Sequence, residues 1–421
     1  MINLLGGVVY MSHKTIEQQI TEAKRDLRSR IPDLPARFAA ETERLKEEIA
    51  AVKSEMQTGH AIVDIEFADI QAGKISDDVM QRIRRRGVIV VRNVFDPVRV
   101  ANWNTTLKSY VADNDYLTKQ AEKAGLDTYF GELAASKPQI YGLYWSKPQM
   151  EARQSEELSD LRVWLNHLWY QPKSGDPEFN PNRECMYADR IRQREPGDAS
   201  LGLSPHIDGG SVERWLDPSF HKVYHDILFG DPDSYEPFNA QSRTKTKEIP
   251  SPAVCQMFRT YQGWTALTRQ GPNDGTLNVV PIARAMAWLL LRALMDDVAD
   301  NDLCNQKPGR ALGVFKEFHE LLLQAYVPIP AVNPGDTVWW HPDIIHGVDN
   351  EHLGNEDSNV MYIGSAPDCE KNRRFLDMLR PAFEAGKSSP DFAPEDYEVD
   401  FKNRFMPENL SDIGRKQLGY E

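Results

Sequence analysis

The chain has 421 residues, 41% of them hydrophobic, enough for a large core, and its 16 Phe, 15 Tyr and 9 Trp exclude a disordered polymer. A net charge of −14 with no basic block argues against nucleic acid or an anionic membrane as partner. Cys185, Cys255, Cys304 and Cys369 are far apart and form no CxxC pair, the usage expected of reduced thiols in a cytoplasmic protein.

The first ten residues are apolar but lack a basic n-region and a cleavage site, so they read poorly as a signal peptide, and Met11 offers a second start. No run is long enough to span a bilayer. Residues 14–56 read as two helices broken at Ile31-Pro32-Asp33-Leu34-Pro35, with Ile16, Ile20, Ala23 and Leu27 at helical spacing in the first. The second, through Glu41 to Glu48, is highly charged and reads as a solvated face, with a coiled-coil contact between copies as the alternative and so a homo-oligomer in view. Ile62 to Phe67 alternates like a strand, and Gly87-Val88-Ile89-Val90-Val91 reads as a buried one. Asp96-Pro97 starts a helix as N-cap and first turn, and residues 157–170 read as another.

From Glu184 onward strand signals dominate: Cys185–Ile191, Leu201–Asp208, Ala253–Thr260, Trp264–Leu267, Thr276–Val280, Thr337–His341 and Val360–Gly364, separated by Gly/Pro turns. Segments 211–250 and 283–325 read as helical or loop-like. The expectation is a mainly β fold with helical additions, a sandwich or barrel of jelly-roll type. Its parts would be a helical extension over residues 1–60, the jelly-roll domain over 61–387 and a surface tail over 388–421.

The chemistry concentrates at Pro205-His206-Ile207-Asp208-Gly209-Gly210. Alternate residues of a strand share a face, so His206 and Asp208 can point together into a barrel where the strand ends and the glycine pair turns away. With His346, 138 residues after Asp208 in Ile344-Ile345-His346-Gly347, they make a 2-His-1-carboxylate set. Such a set holds Fe(II) on one face and leaves the other positions open. A second His-x-Asp, His341-Pro342-Asp343, contains a ladder-breaking proline and reads as a bend, with His341 the substitute ligand. Zinc is the competing metal, although no HExxH is present; P-loop, GxGxxG and GxSxG signals are also missing.

These residues resemble a known superfamily in their order. Arg190-Ile191-Arg192, Pro196-Gly197, His206-Ile207-Asp208, Gln262-Gly263-Trp264, Asp274-Gly275-Thr276, Pro334-Gly335-Asp336 and Ile345-His346-Gly347 follow the pattern of phytanoyl-CoA-hydroxylase-like Fe(II)/2-oxoglutarate oxygenases, over about residues 80–366. More closely, residues 206–215 and 258–264 resemble the bacterial YbiU-type family. The resemblance implies a double-stranded β-helix, Fe(II) on His206, Asp208 and His346, 2-oxoglutarate as cosubstrate and a small-molecule substrate that it does not name. One departure matters. The superfamily places an Arg about a dozen residues after the distal His, and here Asn355 to Met361 contains no basic residue. A dicarboxylate in a dry pocket needs a cation, so Arg259, then Arg190 and Arg192, are the candidate anchors. The competing readings are a non-catalytic metal-binding jelly roll, acting as a sensor or interaction module, and a cupin-like metal-dependent isomerase or hydrolase.

Overall fold

A computed structural model of the protein describes residues 14–123, 138–200 and 203–420. The readings on residues 1–13, including Met11 as a second start, lie outside the described residues. Helix α1 (Ile16–Arg30) opens on a capping box: Thr15 accepts from the Gln18 backbone N–H while the Gln18 side chain accepts from that of Thr15. Helix α2 (Leu34–Thr58) follows the expected Pro break, with Pro35 in its first turn.

Three sheets follow. The largest has seven strands, in the order β1 (Val63–Glu66), β2 (Val88–Arg92), β11 (Thr337–Trp340), β7 (Tyr261–Ala266), β13 (Ser358–Ser365), β5 (Ile191–Arg194) and β3 (Ile140–Tyr141). The second has five, in the order β10 (Val327–Pro328), β8 (Leu277–Val280), β12 (Ile345–Val348), β6 (His206–Ser211) and β9 (Ala311–Gly313). A small ribbon pairs β14 (Pro367–Asp368) with β4 (Asn180–Glu184). Within the two large sheets only β1 and β2 run parallel.

Side-chain alternation sorts the strands into layers. Val90, Trp264, Val338 and Val360 of the seven-stranded sheet share one apolar cluster with Leu277 and Val279 of the five-stranded sheet, so the two sheets face each other. Their next residues point the other way. Ile89, Val91, Trp339 and Met361 meet Trp103, Leu107, Leu161 and Leu165 of the helices Pro97–Asp113 and Glu156–Asn166. Ile207, Val280 and Ile345 meet Leu27, Ile49 and Val52 of α1 and α2, together with the helix Ala285–Arg292. Each such aliphatic side chain, fully buried, contributes roughly 1.5–3 kcal/mol.

Helices therefore cover both outer faces, and the molecule is mixed α/β with several sheets rather than mainly β. Strand signals outweighed helix signals in the sequence because several short β-rich segments with Gly/Pro turns between them fall in the second half of the chain, whereas the covering helices lie largely in the first half. The charged face of α2 is also not merely solvated. Glu41 bonds Arg284 at 2.7 and 2.9 Å, and Glu48 and Glu55 pair with the fully buried Arg86. No strand forms over 253–260. There the Gln256 N–H bonds Asp391 Oδ1 at 2.9 Å and the Phe258 N–H bonds Asn372 Oδ1 at 2.8 Å, so side chains satisfy the backbone in place of a ladder. Among the described residues no helix is long and apolar enough to cross a membrane.

Candidate metal centre

His206 is the first residue of β6 and pairs directly with His346 on the antiparallel β12. The strand begins at the His-x-Asp rather than ending there, and Gly209 and Gly210 continue it to Ser211. The glycines serve close packing instead of a turn. A Cβ on Gly209 would lie 2.7 Å from Asp343 Oδ1 and 2.8 Å from the Pro342 carbonyl, and one on Gly210 would lie 2.5 Å from Leu312 Cδ1. Gly209 N–H also donates to the Pro342 carbonyl at 3.0 Å. The second His-x-Asp thus abuts the first.

His206, Asp208 and His346 each aim one ligand atom at a common point, all three within 4.8 Å of one another. Asp208 Oδ1 lies 3.4 Å from His206 Nε2, and Asp208 Oδ2 lies 3.4 Å from His346 Nε2. The other ring nitrogens are committed: His206 Nδ1 faces the Ser204 carbonyl at 2.6 Å and His346 Nδ1 faces the Ile344 carbonyl at 3.0 Å. A carbonyl can only accept, so Nδ1 carries the proton in each ring and Nε2 presents a lone pair. Two lone pairs and a carboxylate converging on one point repel unless a cation sits among them. In the metal's place, a proton on Nε2 meets the same demand. Burial disfavours a charged His206, yet the Asp208 carboxylate outweighs it and raises the imidazole above its ordinary value. Burial likewise opposes ionisation of Asp208, but the two imidazoles hold it well below the usual carboxylate range.

A chain of hydrogen bonds fixes the carboxylate. Trp340 Nε1–H donates to Gln262 Oε1 at 3.1 Å, and Gln262 Nε2–H donates to Asp208 Oδ2 at 2.8 Å. The Trp340 ring lies 5.1 Å from that of His346. The donor set therefore fits a divalent metal, with Fe(II) among the ions that two imidazoles and one carboxylate suit.

His341, the substitute ligand, is excluded by its bonding. It is fully buried and stacked on Trp169 at 4.8 Å, its Nδ1 accepts from the Asp343 N–H at 3.0 Å, and its Nε2–H donates to the Pro237 carbonyl at 3.1 Å. Both nitrogens are used. Asp343 is bound by Arg243 at 2.9 Å and by the Tyr224 hydroxyl at 3.0 Å.

The centre opens into a cavity of about 410 Å³ between the two sheets, lined by all three candidate arginines. They differ in what holds them. Arg190 lies 3.7 Å from Asp189 Oδ1 and packs 4.2 Å over the Phe392 ring. Arg259 packs 4.7 Å over the Tyr187 ring and donates to Cys255 Sγ at 3.2 Å. Arg192 is 2% exposed, and its Nε and Nη2 have no hydrogen-bond partner. Burial pushes its guanidinium below the ordinary arginine value. Its Cα pairs with that of Val360 on β13, 14 residues after His346, where a downstream basic residue was sought.

Gln262 stood in the Gln262-Gly263-Trp264 motif without a role; its position two residues before Trp264 on an alternating strand was the available signal. Asp391 and Phe392 were missed, because nothing local in the C-terminal segment shows that residues 390–394 return to wall the cavity. The aromatic residues Tyr141, Tyr144, Trp145 and Trp215 are buried in the core and are not among the residues lining it.

Comparison with known proteins agrees with this arrangement in extent and fold. The Gig2-like family matches residues 14–420. The Escherichia coli K12 protein YbiU is 38% identical over 405 residues, 96% of each chain. A Salmonella typhimurium LT2 protein, provisionally named an oxidoreductase, has a solved structure that superposes with a TM-score of 0.91 at 38% identity, covering 96% of this chain and 97% of that one. Candida albicans GIG2, the product of a GlcNAc-inducible gene, superposes with a TM-score of 0.73 at 27% identity, covering 95% and 93%. From near-complete coverage by the family and by relatives this similar, the chain belongs to the Gig2-like family.

Proposed function

We propose that the protein is an Fe(II)/2-oxoglutarate-dependent oxygenase acting on a small molecule. The observation that carries this reading is the convergence of His206, Asp208 and His346 in a cavity also lined by Arg192, whose Nε and Nη2 have no hydrogen-bond partner. Strand order supports it. From β5 to β8 successive strands alternate between the two facing sheets, β10 stays beside β8, and β11 to β13 alternate again, the path of a double-stranded β-helix or jelly roll. The oxidoreductase name given to the Salmonella relative is in accord, and four free cysteines suit a reducing, cytoplasmic setting.

When bound, the iron and 2-oxoglutarate supply the oxidation: one oxygen atom of O2 enters the substrate C–H bond, and the other enters the succinate left after loss of CO2. The chain supplies the rest. His206, Asp208 and His346 would hold the metal from one side, leaving the cavity side for cosubstrate and substrate. Gln262 and Trp340 hold the Asp208 carboxylate in place. Arg192 receives the remote carboxylate of the cosubstrate, replacing from β5 the cation that β13 lacks at Val360. A guanidinium fork matches a carboxylate with two parallel hydrogen bonds, which is what its free Nε and Nη2 offer.

The test is iron-dependent conversion of 2-oxoglutarate to succinate by wild type and by His206→Ala. Succinate formation in wild type and its loss in the variant are expected. Equal iron content and equal 2-oxoglutarate binding in both proteins, or zinc in place of iron after anaerobic purification, would overturn the reading.

A further inference from the structure

The cavity holds more charge than an iron centre and its cosubstrate use. Three arginines and three aspartates line it: Arg190, Arg192 and Arg259, with Asp189, Asp208 and Asp391. Asp189 is engaged with Arg190, whose backbone N–H it also accepts at 2.7 Å. Asp208 belongs to the metal site, and Arg192 to the cosubstrate in the reading above, on which this inference rests. Two groups of opposite sign remain.

Arg259 is the first. Among the described residues no carboxylate lies within salt-bridge distance of it, and its hydrogen bond goes to the soft acceptor Cys255 Sγ. A guanidinium carries five donors, so most are unused. Asp391 is the second. Its Oδ1 accepts the Gln256 N–H at 2.9 Å and so ties the 390–394 segment to the 251–256 loop, but its Oδ2 is buried with no partner. Burial pushes its carboxyl up to about 6, against the lowering pull of the Gln256 N–H and the Arg259 charge. That is the behaviour of a buried carboxylate whose desolvation outweighs its hydrogen bonds and the nearby guanidinium.

Charge balance narrows what can enter. The lining side chains cancel, and so do a divalent metal and a dianionic cosubstrate. A net anion or net cation would leave the cavity between the sheets with an uncompensated charge, which is costly away from bulk water. A molecule with both poles would not. Size narrows it further, since about 410 Å³ is near the lower end of ligand pockets, about 300–1,000 Å³, and the cosubstrate takes a share.

We propose that the primary substrate is a small zwitterion of amino-acid type, its carboxylate held by Arg259 and its ammonium by Asp391 Oδ2. Cys255 and Tyr187 act as positioning residues: the Tyr187 hydroxyl donates to Cys255 Sγ at 3.4 Å and its ring supports Arg259. The 251–256 loop and the 390–394 segment, joined through Gln256 and Asp391, form the substrate-facing wall.

The experiment is anaerobic calorimetry on the full chain loaded with Fe(II) and 2-oxoglutarate. The probes are the twenty proteinogenic amino acids, their Nα-acetyl derivatives, which of the two α charges keep only the anion, and their α-methyl esters, which keep only the cation. At least one free amino acid is expected to bind, and its N-acetyl derivative and its ester to bind at least tenfold more weakly. Asp391→Asn should erase the preference over the N-acetyl derivative, and Arg259→Met should erase the preference over the ester. The proposal is overturned if no free amino acid binds, if the N-acetyl derivatives bind as well as the free forms, or if Asp391→Asn leaves the preference intact. The 2-oxoglutarate titration before probe addition separates the two readings. Failure there sinks the oxygenase reading, whereas success there with failure of the panel sinks only this one.

Discussion

Arg192→Met isolates the feature on which the proposed cosubstrate site depends. The guanidinium is 2% exposed with Nε and Nη2 unpartnered, so the ligand-free protein carries the cost of a desolvated, unsatisfied cation. Such a group costs about 1–3 kcal/mol, more when charged, and methionine fills similar space without polar atoms. The ligand-free variant should therefore be more stable than wild type by about that amount. For a chain of this length, the entropy of unfolding per residue converts that gain to a rise in Tm of about 1–3 °C. Cosubstrate binding should move the opposite way, because losing a buried charge-assisted pair costs about 2–5 kcal/mol, or about 30-fold to several thousand-fold in affinity at about 1.4 kcal/mol per factor of ten. Scanning calorimetry of the ligand-free proteins and titration of the Fe(II)-loaded proteins with 2-oxoglutarate measure both. A variant that is less stable, or that binds 2-oxoglutarate within threefold of wild type, would refute the assignment of Arg192 as an unsatisfied anchor.

Further outcomes follow from neighbouring residues. Gln262→Leu removes the donor to Asp208 and orphans the Trp340 N–H, and should weaken Fe(II) binding about 10–100-fold in a chelator competition; unchanged affinity would show that the carboxylate needs no such support. Gly209→Ala forces a Cβ to within 2.8 Å of the Pro342 carbonyl and should cost about 1–3 kcal/mol in a denaturant titration, with iron affinity falling as β6 shifts. His341 is buried neutral, and burial pushes it down to about 3, against about 6.5 in an unfolded chain. Between those values the unfolded state binds the extra proton, so stability falls as pH falls, by up to about 1.4 kcal/mol per pH unit from this group. The pH dependence of stability should be shallower in His341→Asn across that window, while its iron content stays at the wild-type level; an unchanged slope would refute the buried neutral state.

Much of the site was legible because it is local. His206 and Asp208 are two apart on one strand, and a period of two puts them on one face whatever the rest of the chain does. His346 was legible through the ordered motifs around it. The expected turn at Gly209-Gly210 failed because glycine signals both bends and close approach, and only the proximity of Pro342, Asp343 and Leu312 distinguishes them. The Ala253–Thr260 strand failed because its backbone partners, Asp391 and Asn372, lie more than a hundred residues away.

The sequence by itself picked out His206 and Asp208 as candidate ligands, the apolar strands and the two N-terminal helices, since each depends on short-range periodicity. It put Arg259 ahead of Arg190 and Arg192 from strand position alone, an order the surroundings of each guanidinium do not support, because its role is decided by what surrounds it. Tertiary structure placed a carboxylate and an aromatic ring by Arg190, a thiol and a ring by Arg259 and no hydrogen-bond partner by Nε and Nη2 of Arg192. It also brought the C-terminal segment back to the cavity, a long-range contact that no local pattern encodes, and with it the carboxylate of Asp391.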